Sequence, residues 1–404
     1  MTDTSGSKSG TGGTSGTDEI ASELAQAGIQ IGSVSNADVG WDGGPVNFRR
    51  PEYRGGKVPV STKIFQGFGA LPGQHKEWAF NTLLLLYYSQ ILGLPATYAS
   101  IVLGIALFLD AMSDPLVGAY SDNFRSKMGR RHPFMFGSIV PTALAAFFLF
   151  APPHGMPNWM LVGWMLIFTV LMRFFYTFFA VPWNAVAAEL SEDYGERTSI
   201  ITYRMVIGWL GGVLFTFAMY SLVFHTSAGN KNGLLDANRY FNFAIILAVL
   251  MALWMTITSV MTRNQVRYLP QPVGAVKSQS PRNLLRQAWM ALHSRNFRLL
   301  FFSVLISAGV AGTAQVFDIY MNLYFWGLSP ENIRWFSLAI IGAIASFVTA
   351  GLLQKYFEKQ QIMVVSIFLL MILAMGRVIL RFVDVLPQNG DPALVWFLVI
   401  YVCF

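Results

Sequence analysis

Apolar residues in this chain fall in long runs rather than in the alternation of a strand or the single stripe of a surface helix. Runs of about 20 residues match the hydrocarbon thickness of a bilayer. They stand near 64–90, 96–120, 134–151, 158–181, 200–224, 240–262, 299–325, 333–354 and 361–382. A tenth begins near Ala393 and reaches Phe404 without a polar flank, so the chain is expected to end inside a helix. The pattern predicts an all-α polytopic membrane protein with about nine to ten spans.

The polar stretches between the runs divide the chain. Residues 1 to about 45 are rich in Ser, Gly and Thr with no apolar h-region, which argues against a cleaved signal peptide and predicts a disordered tail. Arg263 to Arg298 contains no acidic residue, and Leu284, Leu285, Ala288, Trp289 and Leu292 recur there at helical spacing. That is the pattern of an amphipathic helix on the membrane surface. The expected organisation is a tail over 1–62, six spans over 63–262, a basic loop over 263–298 and a partial second bundle over 299–404.

Composition agrees: 54% of residues are hydrophobic, 12% are charged and mean hydropathy is +0.48, where soluble domains carry about 25% charged residues. The net charge of +7 does not point to nucleic acid, because the basic residues gather in a few loops. Arg125, Lys127, Arg130 and Arg131 follow the second span, Arg263 to Arg298 separate the sixth from the seventh, and Lys355 and Lys359 follow the eighth. Opposite loops hold little beyond Lys231, Arg239 and Arg334, so these basic loops and the amino terminus are expected in the cytoplasm. Arg49, Arg50, Arg54, Lys57 and Lys63 then flank the first span where anionic inner-leaflet lipid lies. The one cysteine, Cys403, excludes an intrachain disulfide.

Against this apolar background the second span is unusual. Asp110 and Asp114 lie four residues apart and share a helix face, although a carboxylate at bilayer depth costs about 2.5–3.5 kcal/mol on insertion scales. Pro115 removes an N–H and frees the carbonyl of Ala111, and Ser113 adds a hydroxyl. Converging hard oxygens suit a small monovalent cation or a proton, Na⁺ at Asp110 and Asp114 in the former case; a buried ion pair or a helix end at the interface is the alternative.

Other polar residues interrupt the apolar runs. The fourth span carries Arg173, Tyr176, Thr177 and Pro182; Arg173 needs a cavity or a partner charge, with Asp110 and Asp114 the nearest by chemistry. Thr177 either joins the cation site or bonds back to its own helix. The first span reads GFGALPGQHKEW, a Gly- and Pro-broken stretch of the kind that lines substrate paths, unless the span starts only at Trp78. Asp318 and Asn322 share a face among aromatic residues and suit a polyhydroxylated ligand. Glu189, Glu192, Asp193, Glu196, Arg197 and Arg204 follow the fourth span, beside the loop holding Asp122, Arg125, Arg130 and Arg131. Salt bridges among them that form only when the cytoplasmic side closes would gate access; an ordinary solvated loop is the other reading.

DAMSDPLVG at 110–118, SDNFRSKMGRRHP at 121–133, GFGA at 67–70, LYYSQILGL at 86–94, YTFFAVPW at 176–183 and the ERTxxxxYR segment at 196–204 resemble the glycoside-pentoside-hexuronide:cation symporters. These form the melibiose-permease-like branch of the major facilitator superfamily. The likeness covers roughly 63–262 closely and the later spans by general pattern. It implies the major facilitator fold, here a six-helix bundle and an incomplete second one, with about nine to ten of twelve spans present.

The resemblance further implies a cation site at Asp110 and Asp114, with Ser113 at the amide position and Thr177 from the fourth helix. The family's sugar-binding acids correspond to Gln74 and Ala180, and its following tryptophan to Asn184. The galactoside carboxylates are therefore missing, and a conserved lysine of a later helix would lie beyond Phe404. Gln74, Arg173, Tyr176, Asp318 and Asn322 become the candidate solute contacts, and Lys76 with Arg173 extends the candidates to hexuronates.

The expected function is symport of a sugar-type solute with Na⁺ or H⁺ at the cell membrane, with no cofactor beyond the coupling ion. Its partners would be the solute, the cation and membrane lipid, with no nucleic acid. A lysolipid or drug carrier and a non-transporting sensor are the alternatives. His75, His132, His154, His225 and His293 show no ligand spacing and no nucleophile–base motif appears, which argues against an enzyme.

Overall fold

The computed structural model describes residues 48–49, 56–124, 126–226, 232–269, 271–272, 290, 292–354 and 356–403. Contacts divide the chain into two units. Arg50–Gln271 with Lys277–Phe404 carries all the described helices. In the other, Met1–Arg49 with Pro272–Val276, the described residues are the two-residue strand Phe48–Arg49 and Pro272. The expected tail over 1–45, Arg125, and Leu284, Leu285, Ala288 and Trp289 of the expected surface helix lie outside the described residues.

The fold is all-α and polytopic. Its helices are α1 (Val60–Phe68), α2 (Leu71–Trp78), α3 (Ala96–Asn123), α4 (His132–Phe150), α5 (Asn158–Glu189), α6 (Tyr194–Ala218), α7 (Ala237–Thr262), α8 (Arg295–Tyr320), α9 (Pro330–Ile333), α10 (Ala339–Leu353), α11 (Lys359–Phe382) and α12 (Pro392–Cys403). Among the described residues, seven helices are long and apolar enough to cross a membrane. Side chains mark several starts by taking up orphan N–H groups: Asp193 accepts from Glu196 N, Asp236 from Asn238 N and Ser294 from Phe297 N.

Two expected spans are not single helices. The first is helical from Val60 onward, so His75 to Glu77 lie well inside it, but it breaks at Gly69 and Ala70 and restarts with Pro72 in the first turn of α2. Proline tolerates a first turn because its missing N–H would have no partner there. The span then loosens into π turns over Ala79–Leu84 and Tyr87–Ile91. The eighth begins as α9, tightens into a 3₁₀ turn over Arg334–Leu338, and only then becomes α10. The tenth is the twelve-residue α12.

The densest packing joins α4, α5 and α7, where Leu149, Phe150, Phe179, Tyr240 and Phe243 are fully buried. Tyr87 stacks on Tyr240 at 4.2 Å, and Tyr88 donates to the Leu149 carbonyl at 2.8 Å, tying the first span to this core. Small residues on α6 bring α2 close: a Cβ at Gly211 would strike Leu71.

The first and seventh spans end alike. Leu92 N bonds Tyr87 O and Leu94 N bonds Tyr88 O; Trp326 N bonds Met321 O and Leu328 N bonds Asn322 O. Gly93 (φ +74°) and Gly327 (φ +62°) supply the left-handed residue in each. The two ends repeat at a spacing of 234 residues, and Asn81–Gln315 and Gln90–Tyr324 pair across that same spacing. Such pairs are expected beside a pseudo-twofold axis relating two halves. The opposite half of α8, residues 295–315, is exposed.

Candidate functional site

Two helices build the first constellation. Asp110 and Asp114 stand one turn apart on α3, and Arg173 and Thr177 one turn apart on α5, which packs along it. Arg173 Nη1 lies 2.8 Å from Asp110 Oδ2. Thr177 Oγ1 lies 3.0 Å from Asp114 Oδ1 and 3.2 Å from Asp110 Oδ1, bridging the carboxylates with its single proton. Arg173 is 7% exposed and Thr177 3%, so these contacts are shielded on the α5 side. Counting two carboxylates and one guanidinium, the cluster has a formal charge of −1 and can take one monovalent cation without net repulsion. Ser113 turns its hydroxyl back to donate to the Asp110 carbonyl at 2.9 Å.

Arg173 also connects outward, its guanidinium carbon lying 4.7 Å from the centroid of Phe80 in the first span. Lys76 runs parallel one turn earlier: its ammonium is 4.7 Å from the Tyr176 ring centroid and 2.9 Å from Glu77 Oε1. Arg173 and Tyr176, two of the candidate solute contacts, thus pack against the first span.

A cavity of about 670 Å³ holds the other three. Gln74, Glu77, Trp78, Asn81 and Thr82 line it from the first span, Trp209, Thr216 and Tyr220 from α6 and its terminal π turn, and Gln315, Asp318 and Asn322 from α8 and its π turn. Ile333, Phe336 and Ser337 also line it. Asn322 donates to Asp318 Oδ2 at 3.0 Å. Polar bonds bridge the first span and α8 with its π turn: Asn81 Nδ2 to Gln315 Oε1 at 2.8 Å, Tyr324 OH to Gln90 Oε1 at 3.1 Å, and Ser89 Oγ with Tyr320 OH at 3.4 Å.

The candidate gating residues separate into groups. Glu189 pairs with Arg130 and, at 2.7 Å, with Arg131, which also reaches Asp122 at 3.1 Å. Burial lowers the proton affinity of Arg131, opposed by the Glu189 carboxylate. Arg197 and Arg204, expected with them, are elsewhere. Arg197 donates to the Ser191 carbonyl at 2.7 Å within its own loop, and Arg204 bonds Asn184 and covers the Trp183 ring at 3.7 Å. Lys63, outside the expected set, pairs with Glu196 at 2.9 Å.

Glu77, Trp78, Asn81, Thr82, Trp209, Thr216 and Gln315 were not among the candidate solute contacts. One signal for two of them lies in the sequence: Gly93-Leu94 and Gly327-Leu328 mark the repeat that sets Asn81 opposite Gln315.

The chain's relatives include an uncharacterized symporter of Synechocystis, 32% identical over 172 residues, which are 41% of this chain and 31% of that protein. The sodium-dependent lysophosphatidylcholine symporter 1 of Xenopus tropicalis is 33% identical over 161 residues, 40% of this chain and 30% of that one. An isoprimeverose transporter of Lactiplantibacillus pentosus is 22% identical over 209 residues, 52% and 43% respectively. The matched stretch spans less than half of each relative's length. The profile of MFS/sugar transport proteins matches residues 65–404, so the chain belongs to this family of membrane transporters, which are not enzymes.

Proposed function

We propose that this member of the MFS/sugar transport family is a symporter that couples a monovalent cation, Na⁺ or H⁺, at Asp110 and Asp114 to a sugar-type solute in the cavity beneath the first span. The observation that carries the reading is that one element, the first span, both touches the cation cluster and lines the cavity. Phe80, under the Arg173 guanidinium, directly precedes Asn81 and Thr82 of the cavity wall. Glu77, bonded to Lys76, faces the cavity while Lys76 rests on Tyr176 beside Thr177. A cation that changes the charge balance of the cluster changes what the first span presents to the solute, which is the differential interaction that coupling requires.

Alternating access follows as a rocking of the two halves about the cavity, parting the first span from α8 where Asn81–Gln315 and Gln90–Tyr324 bridge them. The distribution of Lys and Arg supports a cytoplasmic amino terminus in the cell membrane. Relatives that carry lysophosphatidylcholine support a second reading with a lysolipid cargo. The cavity favours the first, since twelve of its seventeen lining residues bear hydrogen-bonding side chains, where an acyl chain needs an apolar wall.

The test is uptake into right-side-out vesicles bearing the protein, with labelled glycosides, pentosides, hexuronates and lysophosphatidylcholine, with and without a Na⁺ or proton gradient. One coupled charge across 100 mV contributes about 2.3 kcal/mol, or about 50-fold accumulation. A sugar should accumulate only with a gradient, and Asp114→Asn should abolish accumulation while exchange continues. Uptake indifferent to both gradient and mutation rejects coupling through these carboxylates, and gradient-driven uptake of lysophosphatidylcholine alone selects the second reading.

A further inference from the structure

We infer that the cavity takes polyhydroxylated solutes that carry no anionic group, and that Glu77 of the first span and Asp318 of α8 set this charge preference. The inference rests on the sugar reading above and narrows it, since Lys76 and Arg173 alone would allow a hexuronate.

The lining holds two carboxylates and, among the described residues, no Lys, Arg or His. Both cations that an anionic solute would seek are engaged outside it. Arg173 is buried against Asp110 and Phe80; Lys76, 6% exposed, lies against Tyr176 and Glu77. Arg377 of α11 acts on Asp318 from outside the lining. Glu77 in contrast leaves half of its side chain open, 52% exposed, and faces the cavity.

Asn81 donates to Gln315 and Asn322 to Asp318, and the two carboxylates of the lining offer a ligand acceptors only. A bound molecule that donates to them, as hydroxyl groups or an ammonium do, makes charge-assisted bonds. Trp78, Trp209 and Tyr220 add ring faces and edges suited to the C–H face of a pyranose. A solute carboxylate would enter beside two carboxylates, with no Lys, Arg or His in the lining to pair with it, a repulsive element that disfavours it.

The experiment is equilibrium binding of the full chain in lipid nanodiscs, by calorimetry with competition, to ligand sets of matched stereochemistry. One set is methyl glucoside, glucosamine and glucuronate, and the other the corresponding galactose derivatives. Glucuronate and galacturonate should bind at least about tenfold more weakly than their neutral counterparts, and the amino sugars at least as tightly. Glu77→Gln and Asp318→Asn, both isosteric, should each narrow the uronate deficit by about three- to tenfold and remove any advantage of the amino sugars. If either variant misfolds, the wild-type ranking still decides.

Uronate binding equal to or tighter than that of the neutral sugars, or a deficit unmoved by both folded variants, overturns the inference and leaves the sugar reading standing. Binding of lysophosphatidylcholine with none of the carbohydrates overturns both.

Discussion

The cation cluster and the cavity meet residues a few positions apart on the first span, yet they are assembled differently. The cluster is made within one packed pair of helices, α3 and α5, by two four-residue spacings that face each other, with Arg173 and Thr177 almost wholly buried. The cavity is made across elements far apart in sequence, and neutral hydrogen bonds between partly exposed residues bridge them, Asn81 with Gln315 and Gln90 with Tyr324. Charge-assisted contacts in shielded surroundings are the strong ones, and exposed neutral pairs the weak ones. Strong bonds inside a half and weak ones between halves let the halves move without disturbing the cluster.

The comparison breaks most decisively at the Arg173–Asp110 pair. Asp110→Asn leaves a guanidinium buried without its charge partner, and Arg173→Leu leaves Asp110 with only Thr177. Each should cost about 3 kcal/mol, at the lower end of the range for breaking a buried pair because the Asp110 side chain is 20% exposed. Combining the two removes both charges and should recover most of the loss. Thermal unfolding of the three variants in detergent measures this. A double variant as unstable as the sum of the singles would show that the residues do not act as a pair.

The cluster is largely legible in the sequence. Asp110 and Asp114, and Arg173 and Thr177, stand at intervals that one helix converts into one face, so pairing two faces needs only that the second and fourth spans touch. Local spacing does not say which way a long side chain reaches. Arg173 and Tyr176 suit a solute by chemistry, but the structure aims Arg173 at Asp110 and puts Tyr176 under Lys76. Arg197 and Arg204 suit the acidic cluster by charge but bond Ser191 and Asn184.

The cavity is less legible still, because its lining depends on how the first span meets α8. Asn81, Thr82, Thr216 and Gln315 read as single polar interruptions of apolar runs, and only the repeat at 234 residues brings Asn81 and Gln315 together.

A smaller effect is expected where the first span is bridged to α8. Asn81→Leu removes one side-chain bond, worth about 1 kcal/mol net, and should shift the balance between open and sealed states about fivefold. A cysteine at Ser337, on the cavity wall, with Cys403 replaced by Ser, reports the shift as faster modification by a membrane-impermeant thiol reagent from the Tyr324 side. An unchanged rate would mean that the bond does not hold the two halves together.

The smallest effect belongs to another link, between Glu331 of α9 and the backbone N–H of Thr226, just past the π turn that follows α6. Burial raises the proton affinity of Glu331, but hydrogen bonds from the Thr226 side chain and backbone outweigh it and hold the carboxyl below its ordinary value. A carboxyl depressed by folding contributes stability above its unfolded pKa of about 4.3 and loses that contribution as pH falls through the folded value. The link should therefore be intact at neutral pH and weaken only below about pH 4. Hydrogen exchange at the Thr226 amide, compared at each pH between wild type and Glu331→Gln, isolates it from intrinsic exchange. Protection should exceed that of the variant at neutral pH and converge on it in acid. Equal protection throughout would assign the joint between α9 and the end of α6 to packing, with Phe217 against Trp335 at 6.2 Å as the contact that holds it.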